Sequence, residues 1–320
     1  MKKVLVCGAT GFIGRNLVEY FARLPGYQVF AVWHVSPPFQ IEHVTWRQAD
    51  LRVERDVNQA VADMDVVIQA AATTSGVQDI VTRPYIHVTD NAVMNSLLLR
   101  SIFDHHVEHF LFMSCTVMYP SSVEALRESD LDLSEEFAGA YFGIGWTKLY
   151  TEKMCEFFSR LGRTKHTVIR HSNIYGPYDK YDLERSHVFG ATVAKVMNSD
   201  DCIVVWGSGE EERDLLHIRD LVGFVEKAIE GQDASLEIFN CGIGHAISVR
   251  SLCETIVRLS GKTLKIEFDT ERPTIKTSLF LDCSKAAKLL GWIPSVELED
   301  GARQTLAWYD KQKGAGGGIV

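Results

Sequence analysis

The sequence predicts an α/β protein built on a doubly wound parallel sheet, with a smaller mixed α/β lobe attached. Three observations carry this. Over the first half of the chain, short β-branched apolar runs alternate with segments of helical periodicity, the signature of a parallel sheet covered by helices. Gly8, Gly11 and Gly14 fall between the first apolar run and the first helical segment. After residue 177 the alternation loosens into longer loops and isolated strand-like runs.

Element by element, Lys3–Cys7 reads as the first strand, and Arg15–Leu24 shows the helical period. Strands follow at Tyr27–Trp33 and Val44–Trp46, the latter running into Asp50-Leu51. Val53–Met64 reads as a helix, Asp65–Ala71 as a buried strand, Ala92–His105 as a helix and Phe110–Ser114 as a strand. A long helix is expected over Gly143–Gly162 and a strand over Thr167–Arg170. Cys202–Trp206 and Leu264–Phe268 are scattered among later helices. The organisation expected is a sheet domain over residues 1–177, a lobe over 178–313 from which a late strand returns to the main sheet, and a flexible Gly/Ala tail over 314–320.

Composition narrows the function classes. The 320 residues are 46% hydrophobic and 23% charged, which excludes a disordered or collagen-like chain. With 33 basic and 42 acidic residues the net charge is −9, and no basic patch is visible, so nucleic acid is not an expected partner. No apolar run reaches the roughly 18 residues of a membrane span. Gly8 and Gly11 interrupt the N-terminal apolar run before it becomes a signal sequence. Seven cysteines without CxxC spacing suggest a reducing, cytoplasmic setting rather than disulfides or zinc. His105, His106 and His109 are read as solvated residues near a helix end, and no metal site is expected.

The glycines point to a dinucleotide. Gly8 permits a tight turn out of the strand, Gly11 lets backbone approach a pyrophosphate, and Gly14 lets the helix pack on the strand, while the helix N-terminus presents its amides. The Rossmann-type site so formed comprises Gly8, Thr10, Gly11, Phe12, Ile13 and Gly14. An NAD site usually has a carboxylate at the end of the second strand, whereas here stand Trp33-His34-Val35-Ser36. His34 and Ser36 would tolerate a 2′-phosphate, with Arg15 the nearest arginine, which tilts the expectation from NAD towards NADP. Asp50 and Leu51 stand where an adenine edge would lie.

With these motifs in order, the sequence resembles the extended short-chain dehydrogenase/reductases of the nucleotide-sugar epimerase/dehydratase group. The likeness covers nearly the whole chain. It rests on Gly8/Gly11/Gly14, Asp50-Leu51, Ala70-Ala71-Ala72, Asn91, the run Arg170-His171-Ser172-Asn173-Ile174-Tyr175-Gly176-Pro177, Trp206-Gly207-Ser208-Gly209, Arg213-Asp214, and Leu281 to Ala286 with Leu290-Gly291-Trp292. It implies that Ala70, Ala71, Ala72, Asn91, Asn173 and Lys148 contact the cofactor, and that Asn173, Val188, Trp206 and Arg213 contact the sugar nucleotide. Between Asn173 and Val188 the spacing is similar to that of the GDP-fucose-synthase-like epimerase-reductases. That likeness implies that His187 serves as general acid in C3/C5 epimerisation, that Lys195 is the basic residue two helix turns on, and that the nucleotide is GDP. It also implies a homodimer joined through the long helix and the helix before it.

The resemblance breaks at the acid/base positions. The family's Tyr-x-x-x-Lys pair places both side chains on one helix face; here Lys148 is preceded four residues earlier by Ile144, which shuttles no proton. The position of the family's Ser/Thr is Cys115, flanked by Ser114 and Thr116, either of which would take that role after a small shift, and that of the epimerising cysteine is Val117. Three explanations stay open: rewired catalysis through Tyr141, Cys115, Thr116 or His187; proton transfer beside an existing ketone that needs no tyrosine; or a silent binding subunit. Cys115 also reads as a packed small hydrophobe, His187 as a helix cap, Tyr141 as a loop aromatic, Lys148 as a solvated helix lysine and Arg213 as an ion-pair partner. The function expected is a nicotinamide-dependent epimerase or epimerase-reductase of a nucleoside-diphosphate 4-keto-hexose. A silent regulatory or scaffold member, or a 4,6-dehydratase or 4-epimerase, are the alternatives.

Overall fold

The computed structural model describes residues 1–73, 84–134, 137, 139–183, 186–272 and 278–314. Seven parallel strands form the central sheet: β1 (Lys2–Cys7), β2 (Tyr27–Trp33), β3 (Val44–Gln48), β4 (Val66–Gln69), β5 (His109–Met113), β6 (Lys165–His171) and β11 (Leu236–Cys241), in the order β11-β6-β5-β4-β1-β2-β3. The order reverses between β1 and β4, and that reversal opens a crevice at the carboxyl ends of the strands. β1 and β4 are buried on both faces, as their continuous apolar runs require.

Helices α1 (Phe12–Phe21), α2 (Glu54–Val61), α3 (Pro84–Asp104) and α4 (Phe142–Ser159) cover the sheet. Leu17, Val18 and Phe21 put the apolar face of α1 on one side, and Leu98, Leu99 and Ile102 of α3 pack on the other, so each face has its own core. β7 (Asn173–Tyr175) follows, then α5 (Val188–Asn198), β8 (Cys202–Trp206), β9 (Glu212–Arg213), β10 (Leu215–His217) and α6 (Ile218–Gly231). After β11 come β12 (Ile247–Ser248), α7 (Val249–Ser260), β13 (Lys265–Asp269), α8 (Ser284–Leu290) and α9 (Leu298–Gly314). Three two-stranded ladders, β7 with β10, β9 with β12 and β8 with β13, surround a third core built on Tyr175, Phe189, Leu252 and Ile256. Local chemistry fixes the ends of α7: Ser248 Oγ accepts from the Ser251 amide at 3.1 Å, and Gly261 takes the left-handed conformation at φ 72°.

Several sequence expectations shift. The third helix begins at Pro84 rather than Ala92, because proline suits a first helical turn. The long helix runs Phe142–Ser159, ending three residues before the expected Gly162, which adopts φ 77° after the helix has ended. His109 is a buried strand residue, not a solvated one: its Nε2 lies 2.8 Å from Thr167 Oγ1, and burial pushes its pKa down to about 3. His105 instead sits at the helix end as read, its Nδ1 donating to the Ser101 carbonyl at 2.9 Å. Gly314 closes α9, and the rest of the expected tail, 315–320, lies outside the described residues.

The glycine turn is built from backbone touching backbone. Gly8 has φ 73°, and a Cβ there would stand 2.6 Å from Ala71 Cα. A Cβ on Gly14 would collide with the Gly8 carbonyl oxygen. No flexible side chain stands at either clash, so neither can be relieved by a rotamer change. Gly14→Ala should cost about 1–3 kcal/mol of stability, the range for overpacking, and should abolish dinucleotide binding; urea unfolding and a dinucleotide titration measure the two.

Candidate functional site

Around the crevice, the sheet places three groups of residues. The first surrounds the glycine turn, where Gly11 opens α1 at an N-cap without a side chain, leaving its first amides facing outward. Thr10, Phe12 and Ile13 are half-buried beside it. Ala70, Ala71 and Ala72 follow β4; the Ala70 amide donates to the Cys7 carbonyl at 3.2 Å, and Ala71 backs Gly8. Asn91 clamps the loop beyond: its Oδ1 accepts from the Thr73 amide at 2.9 Å, and its Nδ2 donates to the Thr73 carbonyl at 3.1 Å.

At the ends of β2 and β3, His34 is exposed, with Nε2 3.6 Å from Asp50 Oδ2. Arg52 bridges Asp50 and Asp90 at 2.9 Å each, and its hydrogen bonds hold the Asp50 carboxyl down at about 2. Leu51 is buried. Arg15 is engaged elsewhere: its guanidinium lies 3.8 Å from the Tyr178 ring centroid and 4.3 Å from that of Phe39, and it pairs with Glu19 at 3.1 Å.

The second group gathers at the ends of β5 and β6. Lys148 reaches inward from α4 to donate to the Met113 carbonyl at 2.6 Å, with its ammonium 4.8 Å from the Phe112 ring centroid. Burial lowers its pKa, and Cys115 and Glu152 oppose that shift. Cys115 is half-buried, and desolvation raises its thiol pKa despite Lys148. Tyr141, in a short 3₁₀ turn, is the N-cap of α4; it therefore stands outside the helix, not on the lysine's helical face. Burial raises its phenol pKa, partly offset by Arg213, and Cys115 also acts on it. Arg213 is half-buried on β9 and donates to the Glu212 carbonyl at 2.7 Å. Electrostatic coupling thus runs from Lys148 through Cys115 and Tyr141 to Arg213. Ile144 is half-buried one turn before Lys148.

Sequence reasoning passed over two features here. His171 ends β6, and both Lys148 and His187 act on it electrostatically. Its place in the motif after Arg170 was the available signal. The other is the support beneath Lys148. Arg170 and Glu152 are 4% and 2% exposed and joined at 2.7 Å. Ser114 donates to Glu152 at 2.6 Å, Arg170 donates to the Tyr119 hydroxyl at 2.9 Å, and Tyr119 donates to Asn240 at 2.8 Å. Ser114 is therefore committed to this network and wholly buried, rather than open to the crevice as one of the acid/base candidates. Thr116 is buried with its carbonyl accepting from the Tyr119 amide at 3.0 Å.

The third group lines the lobe. Asn173 Nδ2 donates to the Asp214 carbonyl at 3.2 Å, tying β7 to β10. His187 caps α5 without a side-chain cap bond and is open to solvent; the surrounding protein and Lys180 still push its pKa down. Val188 begins α5 and packs on the lobe core. Lys195 donates to the Val204 carbonyl at 2.7 Å, with its ammonium 5.9 Å from the ring of Trp206. Trp206 is 48% exposed, and the Arg272 guanidinium lies 5.5 Å from its ring centroid. Lys195 and Trp206 thus form a pair of their own on α5 and β8, apart from the bond that Lys148 makes at the end of β5. No helix among the described residues is long and apolar enough to cross a membrane.

Glu152→Ala would leave the Arg170 charge buried without its carboxylate. A loss of about 3–5 kcal/mol is expected, as when one partner of a buried ion pair is removed, with a smaller loss for Glu152→Gln; the midpoint of urea unfolding reads both.

The sequence profile of the NAD dependent epimerase/dehydratase family matches residues 4–242. The chain is 28% identical to a GDP-L-fucose synthase of Azorhizobium caulinodans, over 96% of each protein. It is likewise 28% identical to a dTDP-4-dehydro-6-deoxy-D-allose reductase of a Streptomyces species, over 98% of this chain and 97% of that protein. Among solved structures it is similar to a UDP-glucose 4-epimerase of Thermotoga maritima with UDP-glucose, at TM-score 0.86 and 26% identity, covering 97% of this chain and 99% of that one.

Proposed function

Because the chain belongs to the NAD dependent epimerase/dehydratase family, we propose that it is an epimerase or epimerase-reductase of a nucleoside-diphosphate 4-keto-hexose, working with a nicotinamide dinucleotide at the glycine turn. One observation supports the reading: Lys148 meets the Met113 carbonyl at the carboxyl end of β5, two residues before Cys115 and at the same edge of the sheet as the glycine turn. The turn suits the cofactor, since Gly11 opens α1 without a side chain and leaves the first helical amides facing outward for a pyrophosphate. When bound, the nicotinamide supplies or takes up the hydride.

The chain's own residues supply the rest. The first amides of α1 bind the pyrophosphate. Lys148 exchanges the Met113 carbonyl for ribose hydroxyls and keeps positive charge beside the reacting oxygen. Tyr141 and Cys115, whose protons burial retains, act as hydrogen-bond donors towards the sugar. Arg213 binds the diphosphate through its fork of N–H groups. Asn173 orients the sugar, and His187, at the solvent-open lip, moves the proton at the epimerising carbon.

For the nucleotide we propose GDP, supported by the Ser186-His187-Val188 likeness and by the GDP-L-fucose synthase relative. For the cofactor we propose NADP(H), since β2 runs into His34 and Ser36, both exposed, with no carboxylate of its own. Seven free cysteines accord with a cytoplasmic setting. Ile144 alone favours the silent member, which measurable turnover by the pure protein eliminates.

NADPH should raise the melting temperature more than NADH at equal concentration; the reverse order would assign NAD and remove His34 from the site. With GDP-4-keto-6-deoxy-mannose, the protein should consume NADPH and, in D2O, incorporate deuterium at the epimerised carbons. If 4-keto sugars on GDP, UDP and dTDP produce neither signal, the reading fails.

A homodimer joined through α3 and α4 completes the proposal. Phe142, Trp146, Tyr150 and Phe157 of α4, with Tyr85 and Val93 of α3, expose apolar surface that a second copy would cover. Wild-type protein should sediment as a dimer and Trp146→Glu as a monomer.

A further inference from the structure

Ile144 leaves the hydride step without the group that exchanges a proton with the substrate oxygen. His171 stands at the carboxyl end of β6, beside the end of β5 that Lys148 reaches. It ends β6, one residue beyond Arg170, whose ion pair with Glu152 fixes α4 and so Lys148. Its Nδ1 lies 2.8 Å from the Ser172 carbonyl oxygen. A carbonyl only accepts, so Nδ1 carries the hydrogen, and in the neutral ring Nε2 is left as an unprotonated acceptor. The strand register brings it close to the lysine: Ile169, two residues before His171, lies opposite Met113, whose carbonyl Lys148 holds at 2.6 Å, and the Ser114 amide donates to the Ile169 carbonyl at 2.9 Å. Resting on the oxidoreductase reading above, we propose that His171, through Nε2, is the group that exchanges the proton with the substrate oxygen in place of the missing tyrosine.

The step balances. In the oxidative direction, the substrate hydroxyl gives its proton to Nε2. The adjacent C–H bond breaks, its electron pair leaves as hydride to the oxidised nicotinamide, and the C=O bond forms. In the reductive direction the carbon accepts hydride and the oxygen takes the proton back from Nε2. The neighbouring groups are less suited to this exchange: burial holds the protons of Cys115 and Tyr141 in place by raising their pKa values. The His171 ring is the reverse case, pushed down to about 4 by burial with Lys148 and His187. Groups whose environments drive their pKa values apart divide acid and base roles between them. The diphosphate of a bound sugar nucleotide brings negative charge that offsets the repulsion from Lys148 and lets the ring hold the proton between the two half-steps.

The test compares full-length wild type with His171→Phe, His171→Asn and Tyr141→Phe. Nitrogen NMR of the free wild-type protein should show the Nδ1–H tautomer of His171 at neutral pH. Both His171 variants should keep wild-type NADPH affinity by calorimetry while kcat for hydride transfer falls by about 100-fold or more, the low end of general acid-base contributions. Tyr141→Phe should act on KM more than on kcat. The proposal is overturned if a folded His171 variant keeps the wild-type kcat, if kcat and NADPH affinity fall together, or if Nε2 carries the hydrogen. A wild type that moves no hydride on GDP, UDP or dTDP sugars overturns the oxidoreductase reading itself, and this proposal with it. A wild type that turns over while the variants also do overturns only the role of His171.

Discussion

The buried ion pair between Arg170 and Glu152 is the constraint on which the candidate site depends. Two charges in a near-dry interior are tolerable only when each is neutralised and its remaining hydrogen-bonding capacity is used. Glu152 accepts from Ser114 as well as from Arg170, and Arg170 also reaches the Tyr119 hydroxyl and the Glu128 carbonyl. The pair therefore joins the middle of α4, the end of β6 and the loop after β5, with β11 added through Asn240. Lys148 lies one helical turn before Glu152, so the position of its ammonium at the end of β5 is set by a bond made deeper in the core.

This arrangement separates rigidity from chemistry. The groups that fix geometry, Ser114, Glu152 and Arg170, are buried and mutually saturated. Those that would meet a substrate, Cys115, Tyr141, Lys148 and Arg213, are half-buried and form a looser electrostatic chain. Such a division suits a site that must hold a dinucleotide in register while admitting different sugars.

The sheet was legible in the sequence because its signals are local. Apolar runs place six of the seven sheet strands within a residue or two, β11 being expected only as a late strand without a range, and Gly8, Gly11 and Gly14 mark the turn, since backbone contact between Gly8 and Ala71 allows nothing larger. His109 was misread because it sits beside two helix-end histidines, while its partner, Thr167, lies 58 residues away. Ser114 was grouped with the acid/base candidates because its commitment to Glu152 is invisible without the fold. His171 went unassigned for the same reason: its importance comes from Lys148 and His187 on two other elements, not from its neighbours in the chain.

The position of β11 reaches beyond the site. β11 pairs with β6 along its full length, from Leu236 opposite His166 to Cys241 opposite His171, yet α5, β8 and α6 are synthesised between them. A growing chain thus emerges with β6 as a bare edge until some 70 residues more have left the ribosome. Val168 and Ile169, fully buried in the finished protein, lie on that edge during the wait. An uncovered apolar edge strand invites pairing with another chain. The interval between making β6 and closing it with β11 is therefore where nascent copies of this protein are most exposed to aggregation and most in need of chaperone cover, and truncations that end within the lobe would make that transient hazard permanent.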